Sequence, residues 1–141
     1  MGMATSALTE AQHAMAKRHL AATDEELRRD LACAHWATNF FGMDDLNWNH
    51  ISCRSNEGGI LITPGDRLWD MIEPEHIVKD SENLTANIIH EAIYSANPNV
   101  NSVVHLHTSC AVAVSCLDEG FLFLDQNVRC LRLSSAVPDL N

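Results

Sequence analysis

Two histidines separated by one residue are the side chains of this sequence with the clearest capacity for chemistry. They are His105 and His107, in the segment Val-Val-His-Leu-His-Thr. The apolar residues before them predict a strand over about 102–107. Residues two apart on a strand share a face, with Cα atoms roughly 6.5–7 Å apart. Neutral imidazole is a good ligand for zinc and other divalent transition metals, so the pair is a candidate for two ligands of one cation.

The spacing of the pair leaves two interpretations open. A catalytic zinc usually has three protein ligands and an open position for water or substrate, so two histidines alone are an incomplete site. A hydrogen-bonded pair on a strand, with no metal, explains the same two residues. The apolar lead-in favours the metal, because a buried strand end is a rigid base for ligands.

Helices alternate with strands around this pair. A helix is predicted over 24–41, where Thr23 and Glu26 form a capping box and Gly42 ends the helix. A second helix, over 85–96, has a stripe of apolar residues and ends before Asn97-Pro98. The alternation predicts an α/β sandwich, with a sheet covered by helices. The other predicted elements are strands at 48–54, 60–62 and 77–78, short helical turns at 68–72 and 73–76, helices at about 8–20 and 109–117, and a strand-like run at 121–124.

Composition and charge limit the class of partner. The chain has 46% hydrophobic and 20% charged residues, which is ordinary for a soluble globular protein. Its net charge of −10 argues against nucleic acid as a partner, because phosphate binding relies on Lys and Arg. No run approaches the roughly 20 apolar residues that span a bilayer, and no secretory signal begins the sequence. The five cysteines lack a C-x-x-C pair and are predicted to be reduced thiols of a cytoplasmic protein.

Several segments, taken in order, resemble the class II aldolase and adducin N-terminal family. Each fragment is unspecific, but the ordered set across roughly residues 25–127 is specific for the superfamily and much less so for the reaction. The segments are Trp-Asn-His-Ile-Ser-Cys-Arg (48–54), Leu-Ile-Thr-Pro-Gly (61–65), His-Glu-Ala-Ile-Tyr (90–94), Asn-Pro-Asn-Val (97–100) and Val-Val-His-Leu-His-Thr (103–108).

The resemblance implies a three-layer α/β/α sandwich with a mainly antiparallel central sheet. The family includes sugar-phosphate aldolases, such as L-fuculose-phosphate aldolase, ribulose-phosphate epimerases and the non-catalytic adducins. In the enzymes, the histidine pair and a third, later histidine hold a divalent metal, usually zinc, which polarises the substrate's oxygens. The resemblance therefore makes His105 and His107 metal ligands. It also implies lyase-like chemistry on a small hydroxy-carbonyl compound, such as a sugar or sugar phosphate.

The acidic position of the family differs in this sequence. The enzymes usually have Glu or Asp near the start of the helix that precedes the pair, and this position is Ala86 here. Glu82 and Glu91 are the nearest substitutes, but neither lies in the family's register. The catalytic residue therefore stays unassigned.

The phosphate-binding positions of the family's aldolases are only partly matched. By resemblance, Asn49, Thr63, Gly65 and Thr85 are the candidate substrate- or anion-binding residues. The turn at 63–65 is one residue shorter than the family's, and Thr85 alone remains of a serine pair. The match therefore does not favour a sugar phosphate specifically.

The resemblance fades after residue 127, and the family's third histidine lies further along its chain than residue 141. We therefore expect an N-terminal helical segment at 1–22, a domain over 23–127 that is incomplete at its C-terminal end, and a divergent tail at 128–141. The alternative function is a non-catalytic, adducin-like interaction module or an inactive truncated paralogue. The expected partners are a small-molecule substrate and further copies of the chain, as a tetramer by resemblance, with neither nucleic acid nor membrane.

Three other histidines, His35, His50 and His90, are interpreted as packed, hydrogen-bonded residues rather than ligands. Aromatic side chains are assigned to the core, among them Phe40 and Trp69. Tyr94 is predicted to bury its ring and expose its hydroxyl.

Overall fold

The computed structural model describes residues 13–14, 17–81 and 83–118. The chain divides into two compact units, with the boundary after His107. The first contains the sheet, and the second is described over 108–118, where it holds one short helix. Residues 17–21 are helical, and the rest of the helix predicted over 8–20 is described only at 13–14. The expectations for 121–124 and 128–141 lie outside the described residues.

Most predicted elements of the first unit are present within one or two residues of their expected bounds. No helix of the described part is long and apolar enough to cross a bilayer. The elements are α1 (Asp24–Phe40), β1 (His50–Arg54), β2 (Ile60–Ile62), 3-10 turns at Trp69–Met71 and Pro74–His76, β3 (Val78–Lys79), α2 (Leu84–Ala96) and β4 (Ser102–His105), with α3 (Ser109–Ser115) in the second unit.

Strand β4 is shorter than predicted, and His107 lies beyond it. The strand pairs with β1 as far as His50, which is the first residue of β1 and stands opposite His105. Residues 106 and 107 therefore have no strand residue opposite them to continue the ladder. The shared-strand explanation of the histidine pair is thus wrong for its second member.

Helix α1 begins as the sequence predicts. The Glu26 amide donates to the Thr23 hydroxyl at 3.2 Å, and the Glu26 carboxylate accepts from the Thr23 amide at 2.8 Å. Leu27 and Leu31 are buried against the sheet, but Phe40 is 82% exposed, so its assignment to the core is wrong. Phe40 is the last residue of the helix and belongs to neither of the two core clusters.

The sheet is antiparallel throughout its described pairs, with strand order β3-β2-β1-β4. Because side chains alternate along a strand, the two faces of β1 meet different helices. Ile51 and Cys53 pack in an apolar cluster with Leu27 and Leu31 of α1. Ser52, between them, bonds instead to α2. The central strand therefore joins an apolar face to a polar one.

Arg54, at the end of β1, binds the C-terminal end of α2. Its guanidinium donates to the carbonyl oxygens of Tyr94 at 2.6 Å, Asn97 at 3.4 Å and Val100 at 2.8 Å. It also lies 4.7 Å from the centre of the Tyr94 ring. The last carbonyls of a helix lack intrahelical partners and carry partial negative charge, so a cation here stabilises the helix end.

We predict that Arg54→Met lowers the free energy of unfolding by roughly 2–3 kcal/mol, because carbonyl groups lose a charged donor. Urea denaturation followed by circular dichroism measures the change. Arg67→Met is the matched control. Arg67 is partly exposed, its ion pair to Asp66 is long at 3.7 Å, and its loss should change stability by less than about 0.5 kcal/mol. Equal stability of the two variants would contradict the capping role.

His35 of α1 is fully buried and hydrogen-bonded on both ring nitrogens, as its interpretation as a packed residue requires. Nδ1 donates to the Leu31 carbonyl at 2.7 Å, and Nε2 lies 2.8 Å from the Thr63 hydroxyl. The Thr63 oxygen in turn accepts from the Ile51 amide at 2.6 Å. Burial lowers the pKa of His35 from 6.5 to about 4, so the ring is neutral and Nε2 accepts.

The neutral state of His35 makes stability depend on pH. The pKa in the fold is below its ordinary value, so the unfolded chain binds this proton more readily. Stability from neutral His35 is complete above pH 6.5 and is lost as the pH falls towards 4. We predict a loss of roughly 3 kcal/mol over this range from this group. Unfolding free energies of wild type and His35→Gln measure it: the variant should show the shallower pH slope, and parallel slopes would exclude the effect.

Candidate functional site

The imidazoles of His105 and His107 meet edge to face. Their ring planes are inclined at 86°, with centroids 4.8 Å apart, and the two Nε2 atoms are 2.8 Å from each other. The structure therefore brings the two predicted ligands together, although His107 lies past the strand. Burial, followed by the nearby charge of His107, lowers the pKa of His105 and favours its neutral, metal-binding form.

A carboxylate lies on the other side of His107. Asp45 Oδ2 is 3.8 Å from His107 Nδ1, on the ring edge away from His105. The Asp45 backbone amide donates to the side-chain oxygen of Asn49, which is buried. Asn49 thus helps to hold the loop that carries Asp45. Sequence reasoning did not connect Asp45 with the pair, because nothing in the local pattern places this loop beside residue 107.

The donors of the pair fit zinc in kind, although in this structure the two Nε2 atoms are hydrogen-bonded to each other. Zinc–nitrogen bonds of about 2.0–2.1 Å in a tetrahedral site separate two ligand nitrogens by roughly 3.4 Å, so the pair would open by about half an ångström. Among the described residues no group of three or more His, Cys, Asp or Glu is arranged to hold a metal. The pair can therefore supply two ligands, and the rest of a coordination shell would come from elsewhere.

His50 stacks on His105 across the sheet. The two residues are register partners, their rings are 9° from parallel, and their centroids are 4.4 Å apart. His50 Nδ1 lies 2.6 Å from Nε2 of His90 on α2. Burial first, and then the nearby His90 and His105, lower the pKa of His50 to about 4. A second, deeper pair of histidines therefore underlies the first.

The deeper histidines continue into a buried polar chain. His90 Nδ1 is 2.5 Å from the Ser52 hydroxyl, which is 2.7 Å from the Tyr94 hydroxyl. All three side chains are buried, so the prediction of an exposed Tyr94 hydroxyl is wrong. Burial raises the pKa of Tyr94 to about 12 and lowers that of His90 to about 4. These hydrogen-bonded side chains are therefore neutral at physiological pH.

Comparison with known proteins decides the family. The model of the class II aldolase and adducin N-terminal domain matches residues 29–139. This chain belongs to that family.

The relatives of this chain include both adducins and an enzyme. Rat alpha-adducin is 33% identical over 68% of this chain and 15% of its own length. The 3-oxo-tetronate 4-phosphate decarboxylase of Escherichia coli (strain CFT073) is 28% identical over 70% of this chain and 50% of its own. A solved aldolase II superfamily protein from Pseudomonas syringae aligns with a TM-score of 0.69 and 26% identity, over 79% of this chain and 51% of that one. The chain spans about half, or much less, of these relatives.

The acidic position of the aldolase family is part of the core here. Ala86 is 1% exposed and packs with Ile60, Ile62, Tyr94 and Val103. Glu91 is exposed on the same helix, and Glu82 lies outside the described residues. His90 follows Ala86 by one helical turn and is therefore the polar group on that face.

The four candidate anion-binding residues of the aldolase-like domain lie in different surroundings. Thr63 is buried, and its hydroxyl is already bonded to Ile51 and His35. Asn49 is also buried, and its side-chain nitrogen has no hydrogen-bond partner within the described part of the chain. Gly65 and Thr85 are exposed. A Cβ built on Gly65 would lie 4.0 Å from Asn83, the N-cap residue of α2, so Gly65 and Thr85 flank one helix start.

Sequence patterns contained part of the polar chain without showing its assembly. Alternation along β1 places His50 and Ser52 on one face, and helical spacing places His90 and Tyr94 on one face of α2. Four polar groups on two otherwise apolar surfaces were a sign of a shared network. The sequence alone did not show that the two surfaces meet.

We predict that Ser52→Ala lowers the free energy of unfolding by about 1–3 kcal/mol, because it leaves His90 Nδ1 and the Tyr94 hydroxyl buried without their partner. Chemical denaturation measures the loss. Ser102→Ala on neighbouring β4 is the control, since Ser102 is exposed. A Ser52→Ala protein as stable as the control would show that these buried hydrogen bonds contribute nothing to stability.

Proposed function

We propose that this chain is the metal-binding part of an aldolase-type enzyme, with His105 and His107 as ligands of a divalent cation, and that zinc is that cation. The reaction would be lyase-like chemistry on a small hydroxy-carbonyl compound. The observation that carries the proposal is the convergence of the two Nε2 atoms, 2.8 Å apart, at a strand end. The layer arrangement that goes with it is a three-layer α/β/α sandwich.

The surroundings of the pair support this role. A ligating histidine usually directs its other ring nitrogen at a carboxylate or carbonyl, which selects the tautomer that binds metal. Asp45 lies on this side of His107, 3.8 Å from Nδ1, and leaves Nε2 for the cation. His105 is held by strand pairing and by the stacked ring of His50. A bound divalent cation would supply Lewis-acid polarisation of substrate oxygens.

An anionic substrate group fits the surrounding donors. Asn49 carries a buried amide nitrogen without a partner in the described chain, and such a donor is costly unless a ligand or water meets it. Gly65 and Thr85 lie at the start of α2, where free backbone amides favour negative charge. The decarboxylase relative is named for a phosphate ester. We therefore propose a carboxylate or phosphate on the substrate, with Thr63 as a structural support.

A non-catalytic, adducin-like interaction module is the second candidate. It is favoured by the apolar packing of Ala86, which removes the family's acid, and by the similarity to alpha-adducin. Self-association would suit either function. Exposed apolar side chains after α1, such as Phe41, Leu46 and Trp48, are compatible with such contacts.

Metal binding separates the two candidates. We predict that the purified full chain binds Zn²⁺, and that His105→Ala and His107→Ala each weaken binding by at least about a hundredfold, more than the loss of an outer-shell partner causes. Competition titration with a chromophoric chelator measures the affinities. His76→Ala is the control, because His76 lies on the second 3-10 turn and accepts from the Glu73 amide.

A wild-type chain that binds no Zn²⁺ above background would overturn the metal site for this chain and favour the interaction module. Equal losses in His76→Ala and in the pair variants would show nonspecific binding. Turnover of small hydroxy-carbonyl substrates by the metal-loaded chain would exclude a purely structural role.

A further inference from the structure

The buried chain from Tyr94 to His50 has an end that faces the histidine pair. Its links are Tyr94 to Ser52 at 2.7 Å, Ser52 to His90 at 2.5 Å and His90 to His50 at 2.6 Å. Each link shares one hydrogen between two groups that can both donate and accept. The hydrogen bonds can therefore all point from Tyr94 towards His50 or all point the other way. Each direction gives His50 a different tautomer.

The Tyr94 end determines the direction. Tyr94 is 4% exposed, and its hydroxyl is bonded to the Ser52 hydroxyl and to the Val103 backbone amide, which can only donate. If Ser52 donated to Tyr94, the tyrosine hydrogen would be buried without an acceptor, which is costly. Tyr94 therefore donates to Ser52, and the Ser52 hydroxyl donates to His90 Nδ1.

The two histidines continue the same direction of hydrogen-bond donation. His90 Nε2 and His50 Nδ1 lie 2.6 Å apart, so a single hydrogen lies between the two rings. Since His90 Nδ1 accepts from Ser52, its hydrogen lies on Nε2 and is donated to His50 Nδ1. With Nδ1 occupied as an acceptor, His50 carries its own hydrogen on Nε2.

The Nε2 atom of His50 has no hydrogen-bond partner within the described residues, whereas Nδ1 is bonded to His90. The His50 ring lies parallel to that of His105 at 4.4 Å. The free N–H is therefore beside the proposed metal site.

We propose that Tyr94, Ser52 and His90 position His50 as a neutral hydrogen-bond donor at the His105/His107 pair, directed at an oxygen anion held there, and not as a third metal ligand. This inference rests on the proposed function for the pair. A neutral imidazole N–H suits an oxygen on which negative charge develops, because it donates without competing for the metal.

The tautomer can be measured directly on the metal-free wild-type chain. We predict that ¹⁵N chemical shifts of the imidazole nitrogens at neutral pH show bare Nδ1 and protonated Nε2 in both His50 and His90. A protonated Nδ1 on His50 would overturn the proposal, because Nε2 would then be a bare, ligand-competent nitrogen. This measurement needs no metal and no variant that must fold.

Cobalt binding tests the second half of the proposal. Co²⁺ has visible absorption bands that depend on its ligands, so His105→Gln should change the bands of the cobalt-loaded chain, whereas His50→Gln and His50→Leu should leave them unchanged. Altered bands in both His50 variants would make His50 a ligand and overturn the proposal. If wild type binds no Co²⁺, the proposed function fails and the donor role with it, while the tautomer is still decided by the metal-free spectra.

Glycolate, a small hydroxy-carboxylate, is the probe for the donor. We predict that the cobalt-loaded His50→Leu chain binds glycolate about tenfold more weakly than wild type, as expected for one lost hydrogen bond to a charged group. His50→Gln keeps an amide N–H and should restore most of this affinity. Equal glycolate affinity in wild type and His50→Leu would overturn the donor role, and a loss not rescued by Gln would show that only the packing of the ring matters.

Discussion

The pairing of β1 with β4 is the constraint on which the rest of the site depends. His50 stands opposite His105 and Ser52 opposite Val103. A slip of one residue would turn every side chain of a strand to the other face of the sheet. His50 and Ser52 would then enter the apolar cluster under α1, and Ile51 and Cys53 would face the polar side chains of α2. Both cores favour the observed register, because either misplacement buries polar groups without partners.

The two faces of the sheet stabilise the fold in different ways. The α1 face is closed by Leu27, Leu31 and Trp69, with His35 bonded on both ring nitrogens. The α2 face combines a few apolar side chains with the chain of Ser52, His90 and Tyr94. A buried polar network is stable only when its members are satisfied, and a satisfied one specifies a single arrangement. The face next to the histidine pair is thus the one whose geometry is most narrowly defined.

Local chemistry made much of this fold predictable. The capping box at Thr23 and Glu26 and the stop before Asn97-Pro98 act over a few residues, and the structure confirms them. The end of β4 was not predictable, because it depends on where β1 begins. The contacts of Asp45 with His107 and of His50 with His90 were equally hidden, since they join segments far apart in sequence.

Because β4 ends at His105, the two histidines of the pair are held in different ways. If both histidines lay on one strand, backbone pairing would orient them equally. Instead His105 is held by the ladder and by the ring of His50, whereas His107 lies beyond the ladder and is oriented by its contacts with His105 and Asp45. One proposed ligand is thus fixed by the sheet, and the other contacts a loop that Asn49 supports. A site of this kind can open by the half ångström that a metal requires through movement of His107 alone, while the sheet and the buried chain beneath it stay in place.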